Sequence, residues 1–377
     1  MTTTDLSDNQ DYSGGSGYEW GDYGELRIQE SDGKKTYEIY MRPPVITKTT
    51  GLTDNEWRKV SARLDDPKEW HPERVSLHEQ IMAVMLERAD ALSRRLRECE
   101  SKKDQGPTIY CLRGVCGSGK TTVLLSGEIE GVLDEDGQPS GVLASDLIKA
   151  LLRNGKTLSH IQVHDEASML SRRLGGILHE RAMLEPYSVI YDKLMAYKTD
   201  FEDVFHDASE TRQKVVIFDI DVPLELSAVR VLAREKGGKH SNIDFKGVAD
   251  GFLMIRKNRS ALFEQVMSNL GVVDSYVLKG FDYTVKHLND VARLGDGEIQ
   301  MVSGMEDLAE DAIKSSVKKI EAEISGVRDT LITEEYISYY KDRYLDGEPK
   351  WNDVGLIKEL RNNIGKTISE ALDDKSR

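Results

Sequence analysis

Long apolar runs are missing from this chain. No stretch approaches roughly 18 consecutive apolar residues, so no segment reads as a membrane-spanning helix. Cysteine is scarce too. Cys99, Cys111 and Cys116 form no C-x-x-C pair and have no histidine at metal-ligand spacing, which argues against a disulfide framework or a zinc site and points to a reducing compartment. Positive charge is in deficit: 51 lysines and arginines face 66 aspartates and glutamates, a formal net charge of −15. Such a surface repels nucleic acid unless a local basic groove intervenes, and the sequence shows none. The opening MTTTDLSDNQDYSGGSG has neither the basic nor the apolar part of a Sec signal. Its composition predicts a disordered tail over residues 1–20, and would also suit a specialised secretion signal.

What is present is the patterning of a globular α/β protein. GELRIQESDGKKTYEIYM holds two alternating runs around Ser31-Asp32-Gly33-Lys34, a hairpin signal. With a following helix it makes an N-terminal extension over 21–74. Helical spacing is strongest in SLHEQIMAVMLERADALSRRLRE, where Leu77, Ile81, Val84, Met85, Ala89 and Leu92 share a face. Strands are then expected near 108–113, 141–145, 187–192, 214–221 and 273–279. Helices are expected near 119–128, 146–153, 163–184, 194–208, 223–236 and 247–269. This alternation implies a parallel sheet with helical crossovers, a three-layer P-loop-type fold over 75–285. Residues 286–377 read as a charge-rich helical C-terminal region.

The strongest chemical signal is IYCLRGVCGSGKTTVLL, an apolar strand breaking into Gly114-Val115-Cys116-Gly117-Ser118-Gly119-Lys120-Thr121. This satisfies G-x-x-x-x-G-K-[ST] throughout. Glycines let backbone N–H groups turn inward as an anion nest, Lys120 reaches the β/γ-phosphates, and the Thr121 hydroxyl holds Mg²⁺. Gly114, Gly117, Ser118, Gly119, Lys120, Thr121 and Thr122 are the expected ATP-binding residues. Cys116, in a variable loop position, reads as a small filler residue.

Phosphoryl transfer needs a base for the acceptor and cations for the transferring group. Asp146 in GVLASDLIKALL lies at a strand-to-helix junction facing the ligand crevice of an open α/β sheet, though a helix cap there is commonplace. Arg230 and Arg234 share a helix face ahead of the Gly/Lys-rich EKGGKHSN, as in a lid closing on ATP, and equally suit a solvated surface.

In this order the motifs resemble the zeta-toxin family of small-molecule kinases, toxins of bacterial toxin–antitoxin pairs and their relatives among effectors. The likeness covers about residues 75–280: a long helix, the loop GVCGSGKT, ASDLIKALL, QVHDEASMLSRRLGGILHE, YSVIYD and KVVIFDIDVPLELSAVRVLAREKGGKH. It implies Asp146 as the base taking the acceptor hydroxyl proton, and Lys120, Arg230 and Arg234 as stabilisers of the transferring charge. It further implies His164, Glu166 and Asp192 in the substrate pocket and ATP with Mg²⁺ as cofactors. The acceptor is then a nucleotide-type metabolite of the UDP-N-acetylglucosamine or NAD class. The resemblance also implies an inhibitory antitoxin or chaperone partner, and a bacterial cytoplasmic protein or one delivered into a host cell. Two positions depart from the family pattern. Asp192-Lys193-Leu194 stands where Asp-Gly-Thr is common, and Gly238-Lys239 replaces a Gly-Arg. Glu166 also reads simply as part of a helix's acidic first turn.

Other readings of the residues stay open. VVIFDIDVP is similar to the nucleophile strand of haloacid-dehalogenase-type phosphatases, but Pro223 stands two places after its second Asp, where that motif wants Thr or Val. The same strand reads as a Walker B, with Asp219 a secondary Mg²⁺ contact. An ATP-binding switch without an acceptor would need Lys120 and Thr121 but not Asp146. A polynucleotide 5′-kinase would share loop and base but is disfavoured by the acidic charge.

Overall fold

Two strands explain the architecture. Thr108–Arg113 is buried at all six positions, and Lys214–Asp221 at all but the first, the pattern of parallel strands covered on both faces. In this computed structural model, residues 25–31, 34–40, 72–99, 106–135, 137, 139–152, 163–233, 243–281, 284–288, 300–301, 311–345 and 353–376 are described. Strands β1 (Glu25–Ser31) and β2 (Lys34–Tyr40) pair antiparallel, with Ser31 opposite Lys34, the register that a two-residue Asp-Gly loop dictates.

The main sheet is built from β3 (Thr108–Arg113), β4 (Leu143–Ala144), β5 (Val189–Asp192), β6 (Lys214–Asp221), β7 (Val273–Gly280), β8 (Thr284–Leu288) and β9 (Gln300–Met301). Their spatial order is β4-β5-β3-β6-β7-β8-β9. The five strands from β4 to β7 are parallel; β8 and β9 extend the sheet antiparallel. All five expected strands are therefore present, and the antiparallel extension is new. The chain leaves β5 on one side of β3 and returns as β6 on the other. That reversal opens a crevice at the carboxyl ends of these strands, where open α/β sheets bind ligands.

Alternation along the strands divides two cores. Ile109, Cys111, Val215 and Ile217 face one layer, with α1 (Pro72–Glu98), α3 (Ser145–Leu152), α4 (His164–Leu184), α5 (Lys198–Thr211) and α8 (Arg259–Ser268). Tyr110, Leu112, Val216, Phe218 and Ile220 face the other, with α2 (Lys120–Leu125), α6 (Leu224–Leu232) and α7 (Phe245–Lys257). Helices α9 (Val317–Arg328), α10 (Glu334–Tyr344), α11 (Asp353–Asn362) and α12 (Ile368–Ser376) bury Ile320, Ile337, Tyr340, Leu360, Ile368 and Leu372 in this second core. The C-terminal helices thus share the core of the sheet.

Two helix limits differ from expectation for physical reasons. The helix expected over 194–208 begins at Lys198, because residues 193–197 form a loop: Met195 takes φ 48° and its carbonyl accepts from Arg113 Nε at 2.9 Å. The single helix expected over 247–269 breaks at Asn258, whose side chain donates to Ala196 O at 2.7 Å while Arg259 turns into the core.

Candidate nucleotide-binding site

The loop between β3 and α2 is shaped by its glycines. Gly117 (φ 83°) and Gly119 (φ 101°) take left-handed backbone that side-chain-bearing residues rarely adopt. A Cβ on Gly117 would also lie 2.6 Å from Ser227 O of α6, so the helix packs directly on the loop. Ser227 Oγ donates to Cys116 O. Gly119 caps α2, with Thr122 N donating to its carbonyl at 2.9 Å.

Charges converge on this loop. Lys120 Nζ donates to Gly114 O at 2.7 Å and to Val115 O at 3.3 Å, and stands 3.9 Å from Asp192 Oδ1. Arg230 Nη1 reaches Gly117 O at 3.3 Å. Ser118 Oγ is buried without a hydrogen-bond partner among the described residues, and it packs against Gly114, where a Cβ would lie 2.5 Å from it. Thr121 and Thr122 are exposed in the first turn of α2. A loop with left-handed glycines, a lysine, an arginine and a neighbouring carboxylate fits a nucleotide phosphate chain with its divalent cation.

The carboxylate beside Lys120 belongs to β5, next to the loop strand. Asp219, read from sequence as a Walker B candidate, is not available for that role. It is fully buried between Arg113 Nη1 (2.8 and 2.7 Å to its two oxygens), Arg259 Nε (2.9 Å), Arg259 Nη2 (3.2 Å) and Tyr276 OH (2.8 Å). Burial alone would raise its pKa, but Arg113 and Arg259 outweigh this and hold the carboxyl well below its usual range. Asp221 is likewise occupied by Arg256 (2.9 and 3.0 Å) and Arg259 (2.9 Å). The Asp-x-Asp of β6 is therefore an internal ion-pair network, which also removes the phosphatase reading.

On the acceptor side, Asp146 occupies the first turn of α3 and His164 opens α4, but their side chains lie outside the described residues. Arg234, Gly238 and Lys239 lie outside them entirely, as does the tail over residues 1–20. Glu166, expected to line the substrate pocket, is paired inside the fold. It is 0% exposed, with Oε1 2.5 Å from His78 Nε2 of α1. Buried charge is retained only when partnered, and His78 makes Glu166 a tie between α4 and α1. A cavity of about 10 Å³, room for one water, lies between Ser145, Ser171, Leu174, Tyr191 and Lys193. Lys193 Nζ sits 4.8 Å from the centre of the Tyr191 ring, in the position where the family pattern has glycine. Sequence reasoning missed Arg113 and His78, because their partners stand 106 and 88 residues away.

Fold and loop together define a P-loop α/β protein of the nucleotide-binding class. The zeta toxin family model matches residues 92–281, just over half of the chain; the chain belongs to the zeta toxin family. Among solved structures it is similar to a chain of the AvrRxo1-ORF1:AvrRxo1-ORF2 complex with sulphate ions. The identity is 24% and the TM-score 0.70, covering 89% of this chain and 97% of that one. It is also similar to a chain of that complex crystallised with ATP, at 23% identity and a TM-score of 0.69, covering 89% and 97%. These likenesses show a shared fold. No curated protein sequence matches the chain. Among the described residues no helix is long and apolar enough to cross a membrane.

Proposed function

We propose that this chain is an ATP- and Mg²⁺-dependent kinase that transfers the γ-phosphoryl group to a hydroxyl of a nucleotide-type metabolite, acting as a toxin or effector. The observation that carries this is the convergence of Lys120, Arg230 and Asp192 on the glycine loop. Family membership supports the same chemistry.

In this reading the loop amides from Gly114 to Gly119, with Lys120, Thr121 and Thr122, hold the phosphates. Thr121 and Asp192 would hold Mg²⁺, which supplies charge neutralisation on the phosphate oxygens. Asp146 accepts the proton of the acceptor hydroxyl as its oxygen bonds to the γ-phosphorus, and the bond to the bridging oxygen breaks to release ADP. Arg230 and Arg234 stabilise the charge spread over the transferring group. By the family pattern His164 binds the acceptor, whereas Glu166 positions the first turn of α4 through His78. The acceptor class, UDP-N-acetylglucosamine-like or NAD-like, rests on the family alone. A protein inhibitor belongs to the proposal as well, since the AvrRxo1-ORF1 structures are complexes with AvrRxo1-ORF2. So do residence in a bacterial cytoplasm and delivery to a host cell.

The test is mass spectrometry of a metabolite extract incubated with ATP, Mg²⁺ and the protein, beside an Asp146→Asn control. A new species heavier by one phosphoryl group, absent from the control, is the expected result. An unchanged extract would remove the kinase reading and leave an ATP-binding switch.

A further inference from the structure

Helix α6 carries the arginine that reaches the phosphate loop, and it has almost no surface of its own. Leu224, Leu226, Ser227, Ala228, Val229, Val231 and Leu232 are all buried. One side lies on the loop through Ser227, Arg230 and the close approach of Gly117. The other side is gripped by the C-terminal helices at three separate points. At its start, Leu224 N donates to Glu323 Oε1 of α9 at 3.0 Å. One residue on, Glu225 Oε2 accepts from Tyr344 OH of α10 at 2.7 Å. At its end, Lys375 of α12 donates from Nζ to Leu232 O.

These contacts are chemically matched to the helix. The first N–H groups and last carbonyls of a helix have no partner within it, and negative charge is favoured at its start and positive charge at its end. Glu323 and Lys375 supply those charges in that order, although they lie 99 and 143 residues from the groups they satisfy. Glu323 does more. Its Oε2 accepts from Arg256 Nη1 at 3.3 Å, and Arg256 in turn holds Asp221 at the carboxyl end of β6. One side chain of α9 therefore links the start of α6 to the strand end from which it departs.

We propose that the C-terminal helices are a brace that fixes α6 against the phosphate loop, with Glu323 its principal positioning residue. The brace sets the location of Arg230 at the site without touching a ligand itself. This inference rests on the reading of Arg230 as a stabiliser of the transferring group. It assigns the C-terminal region a part in phosphoryl transfer beyond completing the core.

The test uses the full chain with Glu323→Ala, Glu323→Gln and Arg230→Ala, alone and combined. Glutamine keeps a carbonyl oxygen able to accept from Leu224 N, so Glu323→Gln separates the helix contact from the charge. Small misplacements at a reacting centre lower rates steeply, so Glu323→Ala is expected to lower kcat at least roughly tenfold, with KM for ATP changed much less. Glu323→Gln should recover most of that loss. In the Arg230→Ala background Glu323→Ala should cause little further loss, because the two act through one group. Full multiplication of the two losses, or unaltered kcat in a folded Glu323→Ala protein, would overturn the brace.

Amide hydrogen exchange gives a second readout that needs no activity. Residues 224–232 should exchange faster in Glu323→Ala than in the wild type, while α3 and α4 do not change. Where Glu323→Ala fails to fold, Tyr344→Phe carries the same exchange test. Unchanged exchange in α6 overturns the brace even in an active enzyme. A wild-type protein that transfers no phosphoryl group, yet shows the exchange response, overturns the kinase reading and leaves the brace standing.

Discussion

Arg113 and Asp219 stand in register on neighbouring strands, both fully buried, with both carboxylate oxygens within 2.8 Å of one guanidinium nitrogen. The same arginine donates to Met195 O at 2.9 Å and Ile255 O at 2.6 Å. The residue preceding the glycine loop thereby fixes the loop after β5 and the end of α7. Breaking such a buried pair on one side leaves an uncompensated charge, and Asp219→Asn is expected to cost about 3–5 kcal/mol. Denaturant unfolding measures this.

The same pair sets an acid limit. Asp219 has its carboxyl pKa depressed in the folded state, so its stabilisation is fully present above the unfolded value of about 3.9 and is lost as pH falls through the folded value. The wild type should lose stability faster than Asp219→Asn below about pH 4. Equal slopes in a pH series of unfolding curves would contradict this assignment.

Asp192 Oδ1 stands 3.9 Å from Lys120 Nζ. If it helps hold Mg²⁺, Asp192→Asn should weaken ATP binding in the presence of Mg²⁺. In chelator, ATP binding should be unchanged or tighter, because a negative charge facing the phosphates has been removed. Calorimetry with and without Mg²⁺ separates the two. A loss confined to the acceptor KM would instead place Asp192 on the substrate.

The cysteines report on the loop. Cys111 is wholly buried and its thiol is pushed up to about 12 by that burial, against the opposing charge of Lys193. It should resist alkylation in the folded protein. Cys116, partly exposed in the glycine loop, should react and be protected by ATP. Peptide mapping after brief iodoacetamide treatment checks both.

His78 and Glu166 supply a test of the acceptor side. Glu166→Gln keeps a hydrogen-bonding partner for His78 and should retain most activity. His78→Ala removes one hydrogen-bond partner from a buried carboxylate and should lower stability by about 1.5–3 kcal/mol. A large rise in acceptor KM for Glu166→Gln, with stability intact, would place Glu166 in the substrate pocket.

The loop and the five parallel strands were legible because their signals are local: a glycine spacing, apolar runs, and helical periodicity such as Leu170, Leu174 and Leu178. Charge partners were not. Asp219 and Asp221 end an apolar strand as catalytic or metal-binding carboxylates do, and only the fold brings Arg113 and Arg259 onto Asp219. Asn258 broke a helix that periodicity would have continued, through a contact with Ala196, 62 residues earlier. The C-terminal helices read as charge-rich and without chemistry. Their contacts with α6 depend on Glu323, Tyr344 and Lys375, none distinguishable in sequence from a solvated charge or an ordinary tyrosine.

The most direct measurement follows the γ-phosphoryl group itself. ATP labelled with ¹⁸O in its γ-phosphoryl oxygens, incubated with the protein, Mg²⁺ and a nucleotide-metabolite mixture, should deliver its label to one metabolite, with little appearing as inorganic phosphate. Label found only in inorganic phosphate, or retained in ATP, would contradict the assignment of this site to transfer.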